Sequence, residues 1–293
     1  MGPFHKPFFI PFVQLFHHPP AVSDRSAMER RNGRSIAFVP TMGALHEGHL
    51  ALVKAARQRS GFVVVSIFVN PLQFNNKEDL ARYPRDLDRD GRLLEEGGCD
   101  VLFAPSEGGI FKDFTPRTYD LGSLDDVLEG PSRPGHFQGV VNVVERLFHY
   151  VRPDVALFGE KDRQQLAVIR HVADTLHWPE EIIGHPTLRA EDGLALSSRN
   201  ERLSPAERAI APVLHKALQA VATSAFKVPV EEARRAGLDV LAKEPSVTLD
   251  YLAISAPRTL GPLKEWGALD EAVALIAAQV GPVRLIDNIT LRR

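Results

Sequence analysis

Residues 35–70 read "SIAFVPTMGALHEGHLALVKAARQRSGFVVVSIFVN", and the fold is decided within that stretch. Its ends, "SIAFVP" (35–40) and "FVVVSIFVN" (62–70), are apolar runs with little polar alternation. A strand that is apolar along its whole length is covered on both faces, which is the habit of a parallel sheet. Between them, "GHLALVKAARQRS" (48–60) sets Leu50, Val53 and Ala56 on one side of a helix. Strand, helix and strand in that order suit parallel neighbours in such a sheet.

The same rhythm continues downstream. "EDLARYPRDLDRDGRLLEEGG" is helical with a break at Pro84, where the missing amide and the ring clash interrupt the helix. "DVLFAP" (100–105) reads as a third strand, "GVVNVVERLFHYV" (139–151) as a helix and "DVALFG" (154–159) as a strand. "QQLAVIRHVADTLHW" (164–178) is a helix and "EEIIGHPT" (180–187) a fifth strand. The expected fold class is α/β, with ligands bound beyond the carboxyl ends of the strands. Residues 40–49, 70–73 and 159–165 all follow strands and should converge on one crevice.

The later chain changes character. "LSPAERAIAPVLHKALQAVATSAF" reads as one long helix, with Ser204 as N-cap, Pro205 at the first position and Glu207 completing a capping box. "VEEARRAGLDVLAK" is a second helix, and "VTLDYLAIS", "EAVALIAAQV" and "VRLIDNITL" are strand-like. A smaller α+β domain is therefore expected at 188–293, after a larger one at 1–187.

Composition sets the limits. The chain has 293 residues, 44% hydrophobic and 25% charged, which suits a globular protein with a substantial core. A formal charge of −2 argues against a nucleic-acid binder. The single cysteine, Cys99, rules out an intramolecular disulfide and a cysteine zinc site, and its apolar setting reads as a buried structural thiol. No run is long and apolar enough for a membrane span. The opening "MGPFHKPFFIPFVQLFHHPP" is cut by Pro7 and Pro11, so it is a poor signal-peptide core; residues 1–30 read as an irregular arm, with His17 and His18 at the surface. A cytoplasmic enzyme is the expectation.

The chemistry starts in "PTMGALHEGH" (40–49). Its histidines, His46 and His49, are three apart at a helix start and share one side of the first turn. Three readings stand: a metal site, a phosphate site or a plain turn. "HEGH" is one residue short of the H-E-x-x-H metal pattern, and no third ligand is near. Gly43 permits the turn, Gly48 permits close approach of a ligand, and a helix start with free amides attracts an anion. No "GK[ST]" follows, so it is not a Walker loop.

Further stretches narrow the choice. "FVNPLQF" (68–74) carries Asn70 and Gln73, "GEKDRQQ" (159–165) carries Lys161, Asp162 and Gln165, and "DGLALSSRN" (192–200) carries Ser197, Ser198 and Arg199. "RPGHFQGV" (133–140) and "RLIDN" (284–288) complete the set. In all of these motifs, in order from about residue 34 to 290, the sequence resembles the pantothenate synthetases, members of the H-x-G-H nucleotidyltransferase superfamily.

That resemblance implies a Rossmann-like N-terminal domain, a C-terminal lid and a homodimer. It also implies the joining of pantoate to β-alanine with ATP and magnesium, through pantoyl adenylate, with release of AMP and pyrophosphate. On the same ground His46 and His49 contact the ATP phosphates, with His49 the proton donor, while Lys161 and Arg199 neutralise phosphate charge. Ser197 and Ser198 hydrogen-bond phosphate, and "LSSR" corresponds to the mobile signature loop of class I aminoacyl-tRNA synthetases. Asp162 suits the ribose, and Met42, Gly159 and Leu188 hold adenosine; Gly43, Ala44, Leu45, Glu47, Gly48, Glu160 and Leu196 complete the implied nucleotide site. Gln73 and Gln165 fix pantoate, since an amide both donates and accepts, with Asn70 in support. Asp90 is the implied metal neighbour.

The sequence also departs from the family. Arg163 stands where an aromatic is usual, Gln138 and Asn142 replace the commoner Arg and Thr, and residues 1–30 lack the usual opening helix before the first strand. Two other function classes fit parts of the pattern: an adenylyltransferase acting on another acid or phosphate, and a catalytically silent nucleotide-binding protein.

Overall fold

The computed structural model describes residues 13–75 and 77–293, so most of the proline-rich opening lies outside the described residues. The chain begins with β1 (Gln14–Phe16) and α1 (Pro19–Arg31), then β2 (Ile36–Thr41), α2 (Glu47–Arg59) and β3 (Phe62–Ile67). There follow α3 (Lys77–Arg82), α4 (Leu87–Gly97), β4 (Val101–Phe103), the short α5 (Glu107–Ile110), α6 (His136–Val151), β5 (Val155–Gly159), α7 (Arg163–Leu176) and β6 (Glu181–His185). The expected arm over 1–30 is corrected in its second half. Gln14–Phe16 pair in parallel with Val101–Phe103, and α1 precedes β2. Three residues are too few to show a period, and a helix whose polar and apolar residues are poorly segregated gives little signal. His17 is exposed, as expected, and its Nδ1 contacts the Ala104 carbonyl at 2.7 Å.

All six strands of this sheet are parallel, in the order β1-β4-β3-β2-β5-β6. Phe38, Phe62 and Phe103, on three adjacent strands, are buried in the core on one face, and Val39, Val63 and Leu102 of the same strands in the core on the other, which is the two-faced coverage that the apolar runs require. Cys99 is also fully buried, and desolvation pushes its thiol up to about 12. The chain builds β2, β3 and β4 to one side, then crosses back to place β5 against the other edge of β2. The order therefore reverses between β2 and β5, and a crevice opens beyond their carboxyl ends. The loop 42–46 and the turn Glu160–Asp162 leave the sheet there.

The remaining chain forms α8 (Pro205–Ile210), α9 (Val213–Ser224), α10 (Val230–Leu241) and the strands β7 (Val247–Ser255), β8 (Glu271–Val280) and β9 (Val283–Arg292). Ser204 and Glu207 make the expected reciprocal cap. The expected single long helix is two, interrupted at Ala211 and Pro212, where the proline has no amide to donate. The three strands form one antiparallel sheet, β7-β8-β9, with its own core of Leu214, Leu218, Leu252 and Ile276.

Candidate active site

The loop after β2 is held by a residue from α4. Asp90 is 1% exposed, and its two carboxylate oxygens accept the amides of Ala44 (2.9 Å) and Leu45 (2.8 Å). Desolvation raises its pKa, and the two backbone bonds oppose that rise. The turn needs such support. Gly43 has φ +82° and Ala44 has φ +52°, and the left-handed region costs a residue with a Cβ about 1 kcal/mol.

The two histidines then cap α2 between them. The Nδ1 of His46 accepts the Gly48 amide at 3.1 Å, and the Nδ1 of His49 accepts the His46 amide at 3.3 Å. With both Nδ1 atoms accepting, each neutral ring carries its proton on Nε2. Burial, then the charge of Lys161, lowers His46 to about 4; burial, then His46, lowers His49 to about 3. Both are neutral N–H donors at neutral pH, with ring centres 4.2 Å apart.

Most of the loop's backbone amides are engaged within the protein. The amides of Gly43, Ala44, Leu45, His46 and Gly48 all have acceptors within the protein, the first on the Thr41 hydroxyl at 3.2 Å. Gly43, Ala44 and Leu45 are buried beneath the crevice and Glu47 is exposed on the helix, whereas Met42, His46, Gly48 and His49 line it. Towards the crevice this loop presents the imidazole Nε2–H groups of His46 and His49.

Gln73 follows β3 on a single turn of 3₁₀ helix, Pro71–Gln73, capped by the Asn70 side chain, which accepts the Leu72 amide at 3.2 Å. Asn70 also donates to Gln73 Oε1 and to the Gly139 carbonyl, both at 3.0 Å, fixing the glutamine against α6. Gln73 Nε2 approaches the Met42 sulfur at 3.3 Å. Beyond β5, the turn Glu160–Asp162 carries Lys161, whose Nζ is 3.9 Å from Asp162, and Gln165 opens α7 into the same crevice. Desolvation works against ionisation of Asp162, but Lys161, Arg199 and Arg133 outweigh it and hold the carboxyl below its usual range.

The structure thus brings His46, His49, Asn70, Gln73, Gly159, Lys161, Asp162, Gln165, Leu188, Leu196, Ser197, Ser198 and Arg199 around one crevice. Ser197 accepts the Arg199 amide at 3.2 Å, starting the turn Ser198–Arg202. Asp90 and Glu160 stand behind this lining, Glu160 within an ion pair to Arg163 at 3.7 Å. Among the described residues no three His, Cys, Asp or Glu side chains form a metal cage, and both oxygens of Asp90 already accept backbone amides. These residues do not fit a protein-held magnesium.

Among the lining residues with no individual role assigned from sequence are Glu129, Arg133 and His136. His136 Nδ1 contacts the Gln73 carbonyl at 2.9 Å, and burial, then Arg133, lowers it to about 4. Arg133 and His136 lie in the "RPGHFQGV" motif, whereas Glu129 had no signal beyond its place in the stretch before it. Gln138 and Asn142 act elsewhere: their side-chain amides pair with the backbone of Tyr119 and Arg117, pinning that segment to α6. The variation at these two positions therefore sits behind the crevice.

Known proteins share this fold. The family model described as pantoate-β-alanine ligase matches residues 14–290. The pantothenate synthetase of Thermus thermophilus is 52% identical over 267 residues, covering 90% of this chain and 95% of the relative. That of Cytophaga hutchinsonii is 45% identical over 267 residues, covering 90% and 94%. The T. thermophilus crystal structure gives a TM-score of 0.89 at 48% identity, covering 94% of this chain and 99% of that one. The pantoate-β-alanine ligase of Francisella tularensis, complexed with β,γ-ATP and β-alanine, gives 0.77 at 33% identity, covering 94% and 97%. With the match running across both sheets, the chain belongs to the pantoate–β-alanine ligase family.

Proposed function

We propose that the protein condenses (R)-pantoate with β-alanine at the expense of ATP, through pantoyl adenylate. The observation that carries this reading is the pairing of Gln73 and Gln165 with His46, His49, Lys161 and Arg199 on one crevice. A cationic and N–H-donating end suits a triphosphate, and an amide end suits a small hydroxy acid.

In the first step a pantoate carboxylate oxygen attacks the α-phosphorus of ATP. The α–β phosphate bond breaks, and pyrophosphate leaves with the electron pair. Lys161 and Arg199 meet the negative charge that grows on the leaving group, and the neutral imidazoles of His46 and His49 donate from Nε2. Fixed donors inside a partly desolvated crevice need little reorganisation as that charge develops. In the second step the β-alanine amine attacks the acyl carbon, a C–N bond forms, and AMP departs with the acyl–oxygen electron pair. The amine gives up its proton to complete the amide. Asp162 accepts ribose hydroxyls, and Ser197 and Ser198 donate to phosphate. Magnesium enters as the companion ion of ATP rather than in a protein cage.

The lid role of residues 188–293 and the homodimer belong to this same reading. The test is to incubate the purified protein with ATP, magnesium and pantoate, with and without β-alanine, and to follow AMP and pantothenate. AMP that fails to depend on β-alanine excludes the ligase. The alternative, an adenylyltransferase on another acid, would form pyrophosphate without amide.

A further inference from the structure

The turn that carries Lys161 and Asp162 has no side-chain cap of its own. What it has comes from the other sheet. Asn288, on β9 and 6% exposed, donates from one Nδ2 to two successive carbonyls, Glu160 at 2.9 Å and Lys161 at 3.0 Å. Both partners are acceptors, so the amide orientation is fixed by chemistry: only the NH2 group satisfies them.

Asn288 is itself held. Its backbone amide donates to Asp287 Oδ1 at 2.7 Å, and Asp287 is bound by Arg189 at 2.6 and 2.9 Å. Arg189 also donates to the Asn288 carbonyl at 3.1 Å. Arg189, in the segment between the two sheets, thus locks the mid-strand position from which the amide reaches into the crevice. We infer that Asn288 is a positioning residue for Lys161: it touches neither reacting atom, and it fixes the backbone from which the ammonium group is aimed at phosphate. A lysine side chain is long and flexible, so its reach is set by where its Cα is held, and small misplacements of a catalytic group are costly.

The inference rests on Lys161 acting on the nucleotide, as in the proposed function. Four proteins decide it: wild type, Asn288→Ala, Lys161→Ala and the double variant. Calorimetry with a β,γ-imido ATP analogue gives affinities without any need for pantoate turnover. Each single change is expected to weaken binding about tenfold, and the double variant no more than about twofold beyond Lys161→Ala, because residues acting as one unit are non-additive. In turnover, Asn288→Ala should lower kcat by about tenfold or more while the pantoate KM stays within about threefold. Losses that multiply in the double variant, or an Asn288→Ala protein with wild-type affinity and kcat, overturn the inference. If Asn288→Ala does not fold, Asn288→Leu, which keeps the side-chain shape and has no donor, is carried through the same cycle with the same criteria. A wild-type protein that binds the analogue but releases no pantoate-dependent AMP refutes the reaction, while the binding cycle still decides the role of Asn288.

Discussion

Glu129 and Arg284 form a two-pronged ion pair between the segment preceding α6 and strand β9, at 2.7 and 2.8 Å. The Tyr251 hydroxyl donates to the same carboxylate at 2.8 Å, and Arg284 also bonds Asp250 at 2.6 Å. Burial works against the Glu129 charge, yet Arg284, Tyr251 and Arg133 outweigh it and keep its pKa low. Its backbone amide is received by Gln164, the neighbour of Gln165, at 3.0 Å. Arg284→Ala leaves a buried carboxylate with too few donors and should cost about 3 kcal/mol in chemical denaturation. A loss well below about 1 kcal/mol would show that the pair is dispensable.

Asp90 gives a second expectation. Asp90→Asn keeps one carbonyl oxygen and turns an NH2 group towards the other backbone amide, which then has no acceptor. A buried unsatisfied donor costs about 2 kcal/mol, and the left-handed Ala44 turn loses its anchor. Stability should fall by that order, and the rate of AMP release should fall about tenfold as His46 and His49 lose their frame. If the variant matches wild type in stability but loses all response to magnesium, Asp90 is a metal residue instead.

Gly139 marks the closest approach of α6 to the glutamine turn. A Cβ there would lie 2.2 Å from the Leu72 carbonyl oxygen and 2.9 Å from the Gln73 amide nitrogen. Gly139→Ala must therefore push the turn or the helix away, at about 1–3 kcal/mol. Because the displaced turn carries Gln73, steady-state kinetics should show the pantoate KM rising more than the ATP KM. Equal effects on both, or none, would detach Gln73 from pantoate.

The histidines predict an acid-sensitive fold. His46, His49 and His136 are lowered to about 4, 3 and 4, each chiefly by burial, against 6.5 in the unfolded chain. The unfolded state therefore binds more protons as pH drops below about 6.5, and native stability falls from there towards pH 4. The crevice carboxylates with lowered pKa, Glu129 and Asp162, lose their contribution only below the ordinary carboxylate range. Melting temperatures should thus decline already between about pH 6.5 and 5, and His136→Asn should flatten that decline. A flat wild-type profile over the same range would mean that these rings are protonated in the native state.

The sequence alone determined the parallel sheet, because strands covered on both faces must be apolar throughout, and that pattern is local. It also located the loop after β2, the break at Pro84, the cap at Ser204 and the buried thiol of Cys99, each a property of a few consecutive residues. The motif residues of the crevice were legible by resemblance. Only the tertiary structure decided what supports them. Asp90 grips amides at positions 44 and 45, Gln138 and Asn142 pin residues 117–119, and Asn288 reaches the carbonyls of 160 and 161. None of these partners is within a local period of the other. An acidic residue on a helix, or an asparagine within a strand, looks the same in sequence whether it faces water or holds a catalytic turn. The difference exists only once the sheet has brought distant backbone donors and acceptors within hydrogen-bonding distance, where burial makes leaving them unpaired costly.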